Sequence, residues 1–209
     1  MEVDKADFKA ERKDLYFPTS KDFSIVDVPT FDFAIIDGHG DPNTSPEYAN
    51  AVEVLYSVSY AAKFASKDEL GRDYVVGPLE GLWTADDPSA FTSRSKSDWS
   101  WTMMIRQPDW ITAQIRDLAV AKASRKNLPA LELLRFDSFA EGLSVQILHI
   151  GSYDDEAPTI ARLHDEFLPA RGYIETGPHH EIYLSDPRRV APAKLKTILR
   201  QPVAPKHET

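Results

Sequence analysis

Two hydrophobic rhythms run through the chain, one of period two and one of period three to four. Residues 31–37, FDFAIID, begin in alternation and turn fully apolar, which predicts a strand. Gly38, Gly40 and Pro42 end it. Ser45 or Thr44 then offers a helix cap, with Pro46 in the first turn. From Glu47 to about Ala65, the residues Tyr48, Ala51, Val52, Leu55, Val58 and Ala62 recur at helical spacing. DYVVGPLEGLW (73–83) reads as a strand interrupted by glycine and proline. A polar loop is expected over 84–97, and DWSWTMMIRQP (98–108) predicts the next strand. A helix follows from Pro108 or Asp109 to Lys126, with Ile111, Ile115, Leu118 and Ala119 on one side.

The pattern then restarts. LSVQILHI (143–150) predicts a strand ended by Gly151, and Asp155 to Ala170 has helical spacing in Ile160, Leu163, His164 and Phe167. HHEIYLSDP (179–187) and LKTILRQPV (195–203) predict two further strands. Each half therefore reads strand, helix, strand, strand. MIRQP (104–108) matches ILRQP (198–202) at the end of the fourth element, and GHGDP (38–42) takes the place of HIGSY (149–153) after the first. Glu80 and Glu181 both fall in the third element. Two copies favour closure into a pair over an open solenoid. The expected fold class is α+β: a pseudo-twofold pair of β-α-β-β units with antiparallel sheet and a central ligand groove. The expected organisation is an N-terminal extension (1–30), a domain (31–203) with repeats at about 31–108 and 141–203, and a tail (204–209). Phe8, Tyr16, Phe17 and Phe23 suggest that the extension packs against the rest.

Strand alternation makes HHEIYLSDP the richest stretch for chemistry. His179, Glu181, Tyr183 and Ser185 share one face; His180, Ile182 and Leu184 share the other. The second set suits a helix-covered core, and the first a groove or water. A carboxylate between an imidazole and a phenol fits acid–base work, and it equally fits a wet sheet face. Glu80 is the expected counterpart of Glu181, and a bulge at Gly81 would turn Glu80 and Trp83 the same way. Trp99 and Trp101 share a stripe with Met103 and Ile105 that reads either as core or as ligand wall.

Composition narrows the classes. The net charge of −9 disfavours nucleic acid, and the absence of cysteine excludes disulfides and thiolate zinc. The six histidines show no trusted ligand spacing, so neither metal nor other cofactor is expected. No serine elbow or phosphate loop is present. The charged N-terminus lacks the apolar run of a signal peptide, and no stretch approaches the roughly 20 apolar residues of a membrane helix. The expected location is the cytoplasm and the expected partner a small molecule, with neither nucleic acid nor membrane; a homo-oligomer is left open.

DYVVGPLEGLW, DWSWTMMIRQP, EGLSVQILHIGSY with DDE behind it, HHEIYLSDPRR and LKTILRQPV, in that order, resemble the GyrI-like small-molecule-binding proteins, specifically their stand-alone branch. The resemblance implies two β-α-β-β units and an aromatic groove. It implies Glu181 as the groove carboxylate with Tyr183 as its phenolic neighbour, and Glu80, Trp83 and Trp101 around the same groove; His179, on the strand face of Glu181, is expected to bind the ligand with them. The functions it implies are hydrolysis of strained cyclopropanoid electrophiles such as DNA-alkylating natural products, with a groove Glu activating water, or binding of lipophilic cations without turnover. A third is inhibition of a partner such as gyrase.

Overall fold

The computed structural model describes residues 5–85 and 95–206. In chain order the elements are strand β1 (Lys5–Ala6), the single-turn helices α1 (Phe8–Glu11) and α2 (Lys13–Tyr16), β2 (Ser24–Val28), β3 (Phe31–His39), α3 (Pro46–Leu70), β4 (Asp73–Tyr74), β5 (Leu79–Ala85) and β6 (Trp99–Gln107). They continue with α4 (Ala113–Ser124), β7 (Arg135–Phe139), β8 (Gly142–Ile150) and α5 (Ala157–Ala161), then a π-helical stretch (Arg162–Phe167), α6 (Leu168–Arg171), β9 (Tyr173–Glu175), β10 (His179–Tyr183) and β11 (Lys196–Pro205). Most of the loop expected over 84–97, residues 86–94, lies outside the described residues.

The chain divides into two compact units. One holds the segment up to Glu11 together with Phe31–Phe139; the other holds Arg12–Thr30 together with the chain from Ala140 onward. In the first unit the antiparallel strand order is β5-β6-β3-β7, with Leu79 opposite Ile105, Ile36 opposite Met103 and Phe33 opposite Asp137. In the second it is β10-β11-β8-β2, with β9 pairing the far end of β11. The fold class is therefore α+β, built from two β-α-β-β units of identical connectivity: the fourth strand lies between the first and the third, and the helices follow the first. Each unit also gains a flanking strand. β7 leads directly into β8 but pairs with β3, while β2 leads into β3 but pairs with β8.

Local sequence accounts for the elements. α3 begins with Pro46 at its first position after Ser45 and ends at Gly71 in the left-handed region (φ +64°). There Gly71 and Arg72 donate back to the carbonyls of Lys67 and Ser66, which satisfies the open helix end. Ala51, Val54, Leu55, Val58 and Ala62 form its fully buried ridge. In α4 the Thr112 hydroxyl caps the helix by accepting from the Ile115 amide. The second unit's helix is interrupted: Pro169 has no N–H to give the Asp165 carbonyl, and the ladder widens into π turns just before it.

Candidate functional site

Strand β10 carries the densest chemistry, and its register fixes what shares a face. Glu181 lies opposite Leu199, and Leu199 opposite Ile147; Tyr183 lies opposite Thr197, and Thr197 opposite His149. Two residues along β8 from Ile147 is Val145, which packs with Val203 against Leu163 and Leu168 of the helical segment. Glu181 and Tyr183 are therefore on the helix-bearing face. This corrects the expectation that the helix covers His180 and Ile182. That opposite face is covered instead by the N-terminal segment: Gln146 Nε2 donates to the Asp14 carbonyl (2.7 Å) and Arg200 Nη2 to the Leu15 carbonyl (2.8 Å).

The Tyr183 hydroxyl donates to Glu181 Oε2 at 2.8 Å. His179 Nε2 stands 3.7 Å from Glu181 Oε1, and the side chains of both residues are 14% exposed. Burial, with His164 and His180 adding to it, pushes the His179 imidazole down to about 3, so it is neutral at neutral pH. A neutral imidazole places no full positive charge beside the carboxylate. The Tyr153 ring meets Tyr183 edge-on, with centroids 5.7 Å apart at 81°. Thr197, opposite Tyr183, is buried, and its hydroxyl has no hydrogen-bond partner among the described residues. A phenol, a carboxylate, an aromatic ring and a buried hydroxyl thus share one face, a set suited to holding an apolar ligand and moving one proton.

In the first unit Trp83 and Trp101 come together. They are directly opposite in register, and Tyr48 of α3 packs 5.3 Å from Trp101 and 6.4 Å from Trp83. Trp99 adds an edge contact to Trp83 at 5.5 Å. Both Trp83 and Trp101 are buried. Glu80 does not join them. The β5–β6 register is unbroken from Leu79 to Ala85, so Gly81 makes no bulge and Glu80 points to the other face from Trp83, as strict alternation places it. There it shares a side with Leu82 and Met104, next to Phe33 and Ile35.

The repeats also align differently from the expectation. With MIRQP superimposed on ILRQP, Ile105 corresponds to Leu199, so their partners Leu79 and Glu181 correspond to each other. Glu80 then matches Ile182. The expected Glu80–Glu181 correspondence is off by one residue, which in a strand means the opposite face. Gly38 likewise matches Gly151 rather than His149. The polar cluster on β10 is peculiar to the second unit.

A family model for the GyrI-like small molecule binding domain matches residues 21–204. The chain belongs to that family. Among solved GyrI-like structures, an uncharacterized conserved protein from Listeria innocua is 38% identical, with a TM-score of 0.87 over 96% of this chain and 100% of that one. A hydrolase from the same organism is 37% identical, with a TM-score of 0.81 over the same shares. The C-terminal domain of EcmrR, 10% identical with a TM-score of 0.55 over 88% of this chain and 98% of that one, shares the fold. No curated protein sequence matches the chain.

On the opposite face of β10, with His180, lies a buried charge cluster that sequence reasoning missed. Glu141 Oε1 meets His180 Nδ1 at 3.0 Å, and its Oε2 meets Arg200 Nη1 at 3.1 Å; Arg200 Nε donates to Gln146 Oε1 at 3.0 Å. Burial alone would raise the Glu141 carboxyl, but His180 and Arg200 outweigh it and hold it down at about 2. Glu141 stands before the first strand of its repeat, where no alternation marks it. The shared arginine of MIRQP and ILRQP was the available signal. Arg106, its counterpart, is stacked between Phe8 (4.3 Å) and Phe31 (3.4 Å), so each motif arginine grips a piece of the N-terminal segment. Among the described residues, no three His, Asp or Glu side chains are grouped to hold a metal, and no helix is long and apolar enough to cross a membrane.

Proposed function

We propose that the chain binds small, largely apolar or aromatic molecules and hydrolyses strained cyclopropanoid electrophiles, with Glu181 as general base. The observation that carries this reading is the Tyr183–Glu181 hydrogen bond on the helix-bearing face, with both partners mostly shielded from solvent. The similarity to a Listeria innocua hydrolase at 37% identity supports it. In the reaction, a water oxygen bonds to a cyclopropane carbon while Glu181 takes its proton. The strained C–C bond breaks, and its electron pair moves into a carbonyl conjugated with the ring. That carbonyl oxygen ends as an enol or phenol after receiving a proton, so the net change is addition of one water. Tyr183 holds the carboxylate in one orientation. His179 is the ligand-binding side chain that the Glu181 face adds to this reading; Trp83 and Trp101 form an aromatic cluster of their own in the first unit, and the Glu80 side chain faces away from Trp83.

A second reading is binding of lipophilic cations without turnover. The neutral state of His179 favours it, since that imidazole does not offset a carboxylate beside two tyrosine rings. One experiment separates the two. Wild type and Glu181→Gln are incubated with a cyclopropane-bearing alkylator, and mass spectrometry follows the gain of water. Under the first reading turnover falls by about 10²–10⁴-fold in the variant while affinity for a neutral flat ligand stays close to wild type. Absence of any turnover in wild type, with weakened affinity for cations alone in the variant, establishes the second.

A further inference from the structure

Helix α3 buries one face, and the face opposite its buried ridge is not simply polar. Tyr56, Tyr60 and Phe64 follow one another there at four-residue steps, and Tyr60 and Phe64 are 49% and 47% exposed. The Tyr56 and Tyr60 rings stack with centroids 6.5 Å apart. Lys122 of α4 reaches over the Phe64 ring at 5.6 Å, which brings α4 to the same surface, and Leu118, one turn before Lys122, is 42% exposed. Single exposed hydrophobic residues are ordinary on a protein surface. Three aromatic residues in a row with a leucine beside them are a contiguous apolar patch, the kind that marks an interface.

The order of charges along the stripe says what covers it. Glu53 stands before the aromatic residues and Lys67 after them, and both are exposed. The steps from Glu53 through Tyr56, Tyr60 and Phe64 to Lys67 are 3, 4, 4 and 3 residues, a spacing that reads the same in either direction. An identical helix laid antiparallel across it, with the twofold axis at Tyr60, therefore sets Tyr56 against Phe64 and Glu53 against Lys67, each pair twice. A helix of unrelated sequence gains nothing from that symmetry. Two copies of a chain with net charge −9 repel each other, so their contact needs opposite charges placed face to face. Lys67 has a charge to offer: its ion pair to Asp73 is long at 3.8 Å, Lys63 holds the other oxygen of that carboxylate, and the Lys67 side chain is 50% exposed. From Glu53 to Lys67 the stripe runs about 21 Å at 1.5 Å per residue, and α4 widens it on one side.

We propose that this stripe is the interface of a homodimer, in which α3 packs antiparallel on α3 of a second copy and the two α4 helices flank the contact. Sedimentation equilibrium of the full chain is expected to give twice the chain mass. Tyr60→Glu puts two carboxylates face to face on the axis and is expected to be a monomer; because the position is exposed, its circular dichroism and melting temperature should stay near those of a folded chain. Glu53→Lys alone and Lys67→Glu alone should each weaken the dimer by roughly tenfold, since two ion pairs per dimer turn into repulsions. The double variant Glu53→Lys with Lys67→Glu should recover wild-type association. A wild-type monomer up to the solubility limit means that a partner of another kind covers the stripe, and overturns the proposal. A dimer that survives Tyr60→Glu overturns it as well, because the contact then lies elsewhere. So does a double charge swap that fails to restore association.

Discussion

The Trp101 indole lies across Gly38 on the neighbouring strand, in the space that any side chain at that position would occupy: a Cβ built on Gly38 would stand 2.1 Å from the ring. Trp101 is buried and held by Tyr48, so the ring has little room to yield. Gly38→Ala is expected to cost about 1–3 kcal/mol, the range for overpacking a filled core. It should also shift the tryptophan fluorescence, because Trp101 must move away from Tyr48. A denaturation midpoint and an emission spectrum that both match wild type would show that the indole is not fixed there.

Tyr183→Phe separates orientation of the carboxylate from shape. The substitution deletes the hydroxyl that reaches Glu181 Oε2 and keeps the ring against Tyr153. Affinity for a neutral flat ligand should hold, while hydrolysis should fall by at least about tenfold, the lower range for losing a positioned polar group. Equal turnover in the variant would remove the phenol from the reaction.

Acid should destabilise the second unit in two stages. The folded His179 imidazole sits at about 3 against an ordinary 6.5. The unfolded chain therefore takes up this proton first, and stability drains as pH falls from 6.5 toward 3. The Glu141 carboxyl sits at about 2 against 4.5, so its contribution is complete above pH 4.5 and is lost as pH falls toward 2. Urea midpoints across this range should decline from mildly acidic pH and then steepen. His179→Gln should flatten the first stage and leave the second. A variant profile parallel to wild type above pH 4.5 would contradict the assignment to His179.

Glu141→Ala leaves Arg200 and His180 buried without their shared carboxylate. Breaking a buried pair from one side costs about 3–5 kcal/mol. Because Arg200 also binds the Leu15 carbonyl, protection of residues 12–17 from hydrogen exchange should drop alongside the melting temperature. Retained protection there would mean that the N-terminal segment is held by its own apolar contacts through Leu15 and Tyr16.

The sequence displayed the strand-helix-strand-strand order twice because each of those elements buries a regular face. Alternation in HHEIYL also assigned Glu181 and Tyr183 to one side correctly. Alternation cannot say which side a helix will cover, and here the aliphatic Ile182 turned out to face the N-terminal segment. Register was equally hidden: Glu80 and Glu181 occupy similar places along the chain, yet pairing to Met104 and Leu199 puts one residue of offset between them. β2 and β7 escaped because SIVDV and RFDSF are mostly exposed or half-exposed along their length, leaving no buried stripe to read.

The exchange of flanking strands sets a timetable for synthesis on the ribosome. β2 is made early but pairs with β8, and the contact between Ser24 and Gln146 spans 122 residues. Until β8 emerges, β2 waits as an unpaired ribbon while the first unit still lacks β7. The first unit closes only once Phe139 has been translated, and the second only once β11, which pairs with both β8 and β10, has emerged. Neither repeat cut out as a contiguous fragment would carry its own edge strand, so each would expose an open sheet margin to other chains. Long-range closure of this kind is slow, and the nascent chain is exposed to aggregation for most of its translation.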